Sequence, residues 1–207
     1  MVMMDFDYVI VGAGAAGSVL ASRLSQDPDN RVLLLEYGGR DTNPLLYVPL
    51  GFYFFLRGKR YTYHYPTQPV GPGGQVEAWT RGKVLGGSTA VNGMMWTRGA
   101  PADWDGLAAR GNPGWDWDCA LSAYRMMEDH SLGASDMRGA GGPVTVSVAE
   151  GGDELAQAVL TSAQGMGWEH VVDVNAHDSE RIGFSPSTIR HGRRVSAYSA
   201  FVRPVRR

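Results

Sequence analysis

The sequence predicts an α/β fold: two parallel strands joined through a glycine-rich turn and a helix, followed by a smaller α+β region. Three observations predict it. Tyr8-Val9-Ile10-Val11 and Val32-Leu33-Leu34-Leu35 are continuous apolar runs, as in strands buried on both faces. Between them, glycines from Gly12 to Gly17 lead into Val19 to Leu24, where Leu20 and Leu24 lie four apart on one helix face. The chain has 207 residues, 43% hydrophobic and 19% charged, a globular composition long enough to bury a core.

The remaining elements follow in order. Asp27-Pro28-Asp29-Asn30 ends the first helix, and Glu36 closes the second strand. Residues 38–80 mix Gly, Pro and aromatics with little periodicity and read as an irregular cover segment. A second glycine cluster spans residues 81–99. Residues 113–118 approach a helix that runs to about Glu128, with Asp118 as its N-cap. Residues 131–142, with Gly133, Gly139, Gly141 and Gly142, read as a linker, which divides the chain into residues 1–140 and 141–207. Val144, Val146 and Val148 then alternate as in a half-buried strand of an antiparallel sheet. Asp153 caps a helix to about Gln164, with Leu155 and Val159 on one face.

Composition excludes several functions. A net charge of −2 gives no general basis for binding nucleic acid or an anionic membrane. The single cysteine, Cys119, rules out an internal disulfide framework and a cysteine-based metal site. No histidine makes a metal-ligand spacing with another. The longest apolar stretch, Leu45 to Leu56, is broken by Pro49 and Gly51 and is shorter than the about 20 residues a bilayer requires. The N-terminus lacks a basic targeting region, so cytoplasmic residence is expected.

Gly12-Ala13-Gly14-Ala15-Ala16-Gly17 is a GxGxxG motif in its full context: a strand before, a helix after, and an acid closing the next strand. Gly12 permits the sharp turn, Gly14 lets a pyrophosphate approach the backbone, and Gly17 lets helix and strand pack closely. The first-turn N–H groups of Ala15 and Ala16 and the positive end of the helix dipole then face the phosphates. Glu36 lies 24 residues after Gly12, near the spacing of about 20 for the acid that binds ribose. The motif indicates a dinucleotide and does not choose FAD over NAD. Tyr37 follows Glu36 where an NADP site needs an Arg.

Residues 82–99 read Gly-Lys-Val-Leu-Gly-Gly-Ser-Thr-Ala-Val-Asn-Gly-Met-Met-Trp-Thr-Arg-Gly. With the first motif, this resembles the glucose–methanol–choline (GMC) family of flavoprotein oxidoreductases. Further likeness lies in Asp103-Trp104-Asp105, in Asn112 to Trp117, and in Gly192-Arg193-Arg194-Val195-Ser196-Ala197 with Pro204. The resemblance runs from about Asp5 to the last residue. It implies a Rossmann-like FAD-binding domain in residues 1–140 and the start of a substrate-binding domain in 141–207. It also implies oxidation of a small-molecule alcohol to a carbonyl by hydride transfer to flavin N5, as in an alcohol oxidase or dehydrogenase. Small residues Gly82, Gly87 and Ser88, with Val84 between them, permit close approach of backbone to a flat ring. Asn92, Gly93, Met94 and Met95 would run past the flavin's polar edge. Some members attach FAD covalently through a His at the position of Val91; valine cannot form that bond, so non-covalent FAD is expected. Tyr37 departs from the small residue usual in the family.

Members of the family are longer. Their second signature and the C-terminal active-site His, with its His or Asn partner, have no counterpart here. None of His64, His130, His170, His177 and His191 stands at a matching position. The catalytic base is therefore expected from a missing C-terminal portion or a second polypeptide; a split enzyme, a piece cut near Arg206-Arg207 and a truncated product are the three origins. A non-catalytic FAD-binding fragment or regulatory partner, and a FAD-containing lyase, are the alternatives. Six arginines among residues 190–207 suggest either a contact for an acidic partner or a solvated surface. Phe52, Tyr53, Phe54 and Phe55 suggest packing over the flavin domain, a substrate entrance, or a subunit or membrane contact. Met94, Met95, Met126 and Met127 read as core fillers.

Overall fold

A computed structural model describes residues 5–176 and 179–206. It divides into two compact units: residues 5–94 with 191–206, and Met95–Arg190. Compactness thus does not divide the chain at residue 140. The segment read as a linker is packed instead: a Cβ on Gly142 would lie 2.5 Å from the Met127 carbonyl carbon, and one on Gly139 would overlap the Arg125 carbonyl.

In the first unit, β1 (Tyr8–Val11) and β2 (Val32–Leu35) pair in parallel, Tyr8 opposite Val32 and Val11 opposite Leu35. Helix α1 (Ala15–Leu24) makes the crossover between them. Its Ala21 packs with Tyr198 and Val202 of a π-type turn, over Ile10, Val32 and Leu34. This covers only one sheet face. The other carries Val9, Val11 and Leu35, which are 55%, 83% and 45% exposed. The expectation of strands buried on both faces is therefore corrected: among the described residues nothing apolar covers the Val9–Val11 side.

The cover segment is more regular than its composition suggests. Asn43 Oδ1 accepts the Leu45 N–H at 3.0 Å and caps a 3-10 turn, Pro44–Leu46. A short helix, α2 (Phe52–Phe55), follows. Then β3 (Thr62–Pro66) and β4 (Ala78–Gly82) form an antiparallel hairpin, Thr62 opposite Gly82. Leu46, Phe55, Val84, Ala90 and Val91 make a buried cluster beneath these turns. Of the aromatic run, Phe55 is buried there while Tyr53 and Phe54 are 55% and 67% exposed.

The C-terminal arginines are largely used within the unit. Arg194 is buried. Arg203 pairs with Asp41 at 2.7 Å, and Arg206 donates to the Tyr198 hydroxyl at 2.9 Å. Arg207 lies outside the described residues.

In the second unit, α3 (Pro101–Ala109) and α4 (Trp117–Met127) meet through Trp104, which packs edge-on against Tyr124 with centroids 6.2 Å apart and stacks on Trp115 just before α4. Asp116, not Asp118, caps α4: its carboxylate accepts the Cys119 N–H at 3.0 Å. Asp116 has the extended backbone a cap requires, and Asp118 already lies in the first turn. Strands β5 (Glu128–His130) and β6 (Val144–Val146) pair in parallel, as do β7 (Glu169–His170) and β8 (Arg181–Ile182). Antiparallel bridges also join Ser187 to Met95 and to Ser147. The 131–143 connection crosses back before β6 pairs, which fixes a parallel sense. Asp153 caps α5 (Glu154–Gly165), accepting the Ala156 N–H at 2.8 Å. Leu155 and Val159 are exposed and Leu160 is the buried residue of this helix. Met94 is buried, but Met95 and Met126 are not core fillers, at 65% and 59% exposed.

Candidate functional site

The first motif forms a turn without side chains at its mouth. Gly12 has φ +96° and donates its N–H to Leu35 O at 2.7 Å, which ties the turn to the end of β2. A Cβ on Gly17 would overlap the Gly12 carbonyl oxygen, so only glycine lets α1 approach the strand this closely. Gly14 occupies the N-cap of α1, and no side chain caps the helix. Nothing lies within 4 Å of a Cβ built on Gly12 or Gly14. Ala15 and Ala16 are exposed at this end, where a helix's first N–H groups have no partner within it. An open, side-chain-free cradle with free donors and a positive dipole end fits the pyrophosphate of a dinucleotide.

The second motif meets the first directly. Gly86 donates its N–H to Ala13 O at 2.8 Å. Gly87 has φ +54°, and a Cβ there would lie 2.8 Å from the Cα of Gly14. Ser88 Oγ accepts the Gly82 N–H at 3.0 Å and stands exposed on the 3-10 turn Gly87–Ala90. Val84 is 0% exposed and belongs to the buried cluster with Leu46 and Phe55, so it presents no atom to this surface.

Glu36 is braced by the same turn. Its Oε2 accepts the Ala13 N–H at 2.8 Å, and its Oε1 accepts the Gly38 N–H at 2.7 Å. Each oxygen keeps a further lone pair for a ligand hydroxyl. Tyr37 beside it is 85% exposed and stacks on Tyr63, with centroids 6.1 Å apart. Lys83 Nζ lies 5.1 Å from the centroid of that second ring.

Farther along, Asn92 and Gly93 are exposed, whereas the side chains of Val91 and Met94 are buried. Met94 has φ +64°, and its N–H donates to Asn92 Oδ1 at 3.0 Å. Arg194 donates to the same oxygen at 2.7 Å, to Leu46 O at 3.0 Å and to Thr89 O at 3.3 Å. Burial pushes its guanidinium pKa down to about 10, which leaves it charged at neutral pH. Sequence reasoning missed Arg194 as a site residue. Its signal was the Gly192-Arg193-Arg194 stretch, which read as family likeness and as either an acidic-partner contact or a solvated surface. Fourteen positions were expected at the site: Gly12, Gly14, Ala15, Ala16, Gly17, Glu36, Gly82, Val84, Gly87, Ser88, Asn92, Gly93, Met94 and Met95. All but Met95 lie in the first unit, and Met95 belongs to the second.

The histidines of the first unit do not resemble a poised base. Both ring nitrogens of His64 are engaged, Nε2 with Gly58 O at 2.7 Å and Nδ1 with Thr80 Oγ1 at 3.2 Å. His191 is exposed. His130 and His170 belong to the second unit, and His177 lies outside the described residues. Among the described residues, no group of three or more His, Cys, Asp or Glu could hold a metal ion, and no helix is long and apolar enough to cross a membrane.

Known proteins share both the sequence and this geometry. Mitochondrial choline dehydrogenase from Homo sapiens is 38% identical over 208 residues, covering 97% of this chain and 35% of the relative. Pyridoxine 4-oxidase from Microbacterium luteolum is 37% identical over 209 residues, covering 98% and 40%. The crystal structure of pyridoxine 4-oxidase from Mesorbium loti superposes with a TM-score of 0.88 at 36% identity, covering 98% of this chain and 40% of that one. Formate oxidase superposes with a TM-score of 0.82 at 30% identity, covering 97% and 37%. The chain therefore spans well under half the length of these relatives. FAD is the cofactor of the family and of these structural neighbours. The family model for GMC oxidoreductases matches residues 6–207, and the chain belongs to that family.

Proposed function

We propose that this chain builds most of the FAD site of an enzyme that oxidises an alcohol to a carbonyl by hydride transfer to flavin N5. The observation that carries the reading is the contact of two glycine motifs about 70 residues apart in sequence, Gly14 against Gly87, beside the braced carboxylate of Glu36. Bound FAD supplies the two-electron acceptor. In this reading the N–H groups at the start of α1 hold the pyrophosphate, and Glu36 accepts from the adenosine ribose. Ser88 bonds a phosphate or ribitol oxygen. The exposed Asn92–Gly93 backbone lies along the flavin's polar edge. Donors there favour the negative charge that develops on reduction. The cofactor role is assigned to residues 5–94 with 191–206.

FAD is held without a covalent bond, since Val91 is buried and has no nucleophile. The base for the substrate hydroxyl comes from a C-terminal portion or a partner, as the family resemblance implies; in the first unit both ring nitrogens of His64 are engaged and His191 is exposed. Chemistry without that supplement is not expected. Which alcohol is oxidised follows the residues of that further portion. The names of the relatives give choline, pyridoxine and alcohol as precedents. Cytoplasmic residence is part of the proposal, although the human and mouse relatives are named as mitochondrial.

Fluorescence titration of FAD against the purified chain tests the reading. Saturable quenching with one site per chain is expected, and its loss in a Gly14→Val variant that still melts cooperatively. Unchanged binding by that variant would remove the site from this turn.

A further inference from the structure

Arg194 is 4% exposed and charged, yet every acceptor it reaches is neutral. Among the described residues no carboxylate pairs with it. Burying a cation among carbonyls is costly and calls for a return. The hydrogen bonds identify one. Asn92 Oδ1 accepts from Arg194 at 2.7 Å and from the Met94 N–H at 3.0 Å.

Both partners are obligate donors: a guanidinium has no acceptor, and neither has a backbone N–H. The carboxamide therefore has one orientation. Turned over, Nδ2 would face two donors. With Oδ1 occupied inward, the side chain has only its Nδ2 hydrogens to offer outward. Asn92 is exposed, and Nδ2 has no acceptor among the described residues.

We propose that Arg194 is a positioning residue for FAD, fixing the Asn92 carboxamide so that Nδ2 donates a hydrogen bond to an acceptor on the flavin's polar edge. The inference rests on the FAD reading above. A lysine could not do the same. Arg194 reaches Leu46 O through Nε and both Thr89 O and Asn92 Oδ1 through a terminal nitrogen, and one ammonium on a flexible stem lacks that fork. Met94, held at φ +64° beside the same oxygen, belongs to the arrangement.

The test is a double-mutant cycle on FAD affinity, run with the absorption spectrum of the bound flavin and the melting temperature. Asn92→Asp keeps two acceptors for Arg194 and Met94 and adds an ion pair, so it folds, but it loses the outward donor. The expected result is FAD binding weaker by about tenfold, the scale of one hydrogen bond, with a shifted flavin band and no drop in melting temperature. Arg194→Lys is expected to weaken FAD similarly in the parent chain and to have no further effect in an Asn92→Ala background, because it acts through Asn92.

Asn92→Asp with the parent affinity and spectrum would overturn the proposal and leave the FAD reading intact. So would an Arg194→Lys loss that persists in full without the Asn92 amide, since that is the mark of a merely structural cation. Failure of the parent chain itself to bind FAD overturns the cofactor reading and this inference together. The parent titration comes first, so the two failures are told apart.

Discussion

Gly14 and Gly87 touch backbone to backbone: a Cβ on Gly87 would lie 2.8 Å from the Cα of Gly14. The approach is locked by the hydrogen bond from Gly86 N–H to Ala13 O at 2.8 Å. Two glycine-rich segments distant in sequence thereby make one surface.

At Gly14 the chain has φ −73°, which any residue adopts, and the space beyond is open. Gly14→Val should therefore leave the melting temperature within a few degrees of the parent. FAD affinity should fall by about a hundredfold, since the branched side chain fills the place of the pyrophosphate. Calorimetry and flavin fluorescence on the same samples check both halves.

Gly17 behaves in the opposite way. A Cβ there overlaps the Gly12 carbonyl oxygen, a backbone atom that cannot swing aside. Gly17→Val should destabilise the first unit by about 3 kcal/mol, the upper end of overpacking costs, read as a lower urea midpoint with an unchanged slope. An unchanged midpoint would show that α1 does not pack on β1 as described.

These outcomes show how much was legible. The β1–α1–β2 unit and the Asp153 cap were plain in the sequence because their signals are local: apolar runs, a glycine turn, an Asp before a helix. The β3–β4 hairpin was not legible. Thr62-Tyr63-His64-Tyr65-Pro66 offers only two alternating tyrosines before a proline, and its partner strand begins 12 residues after it ends. Arg194 was missed for the same physical reason. Its burial comes from Leu46 and Thr89, 148 and 105 residues away, which no local pattern encodes. The parallel pairing of β5 with β6 likewise depends on a crossover rather than on the valine alternation.

The second unit rests on a buried ion pair. Arg98 reaches Glu128 Oε1 at 2.6 Å, with the two side chains 2% and 0% exposed. Trp96 Nε1 donates to the same oxygen at 2.6 Å, and Gly139 N–H to the other at 3.1 Å. Glu128→Leu leaves Arg98 charged and unpaired. It should cost about 3–5 kcal/mol in urea unfolding, and adding Arg98→Met should recover part of that loss. A loss confined to under about 1 kcal/mol would mean the pair is hydrated as a surface bridge is.

His130 makes this unit sensitive to acid. Its Nδ1 accepts the Leu132 N–H at 3.2 Å, and its buried Nε2 has no partner among the described residues. Burial pushes the imidazole pKa below its ordinary value of 6.5, outweighing Asp173 and Glu128, which raise it; Arg138 and Arg98 add to the lowering. The unfolded chain then binds the proton first. The stabilising contribution is complete above about pH 6.5 and is lost as pH falls from there through the lowered pKa. The unfolding free energy should decline on acidification below that point, and His130→Leu should flatten that part of the profile. An acid limb identical in the variant would assign the sensitivity to other groups.

Native mass spectrometry of the purified chain with saturating FAD tests the central claim most directly. The prediction is a species of one chain plus one FAD, which releases intact FAD on denaturation. A spectrum showing only the bare chain, under conditions where a known flavoprotein keeps its cofactor, would contradict it.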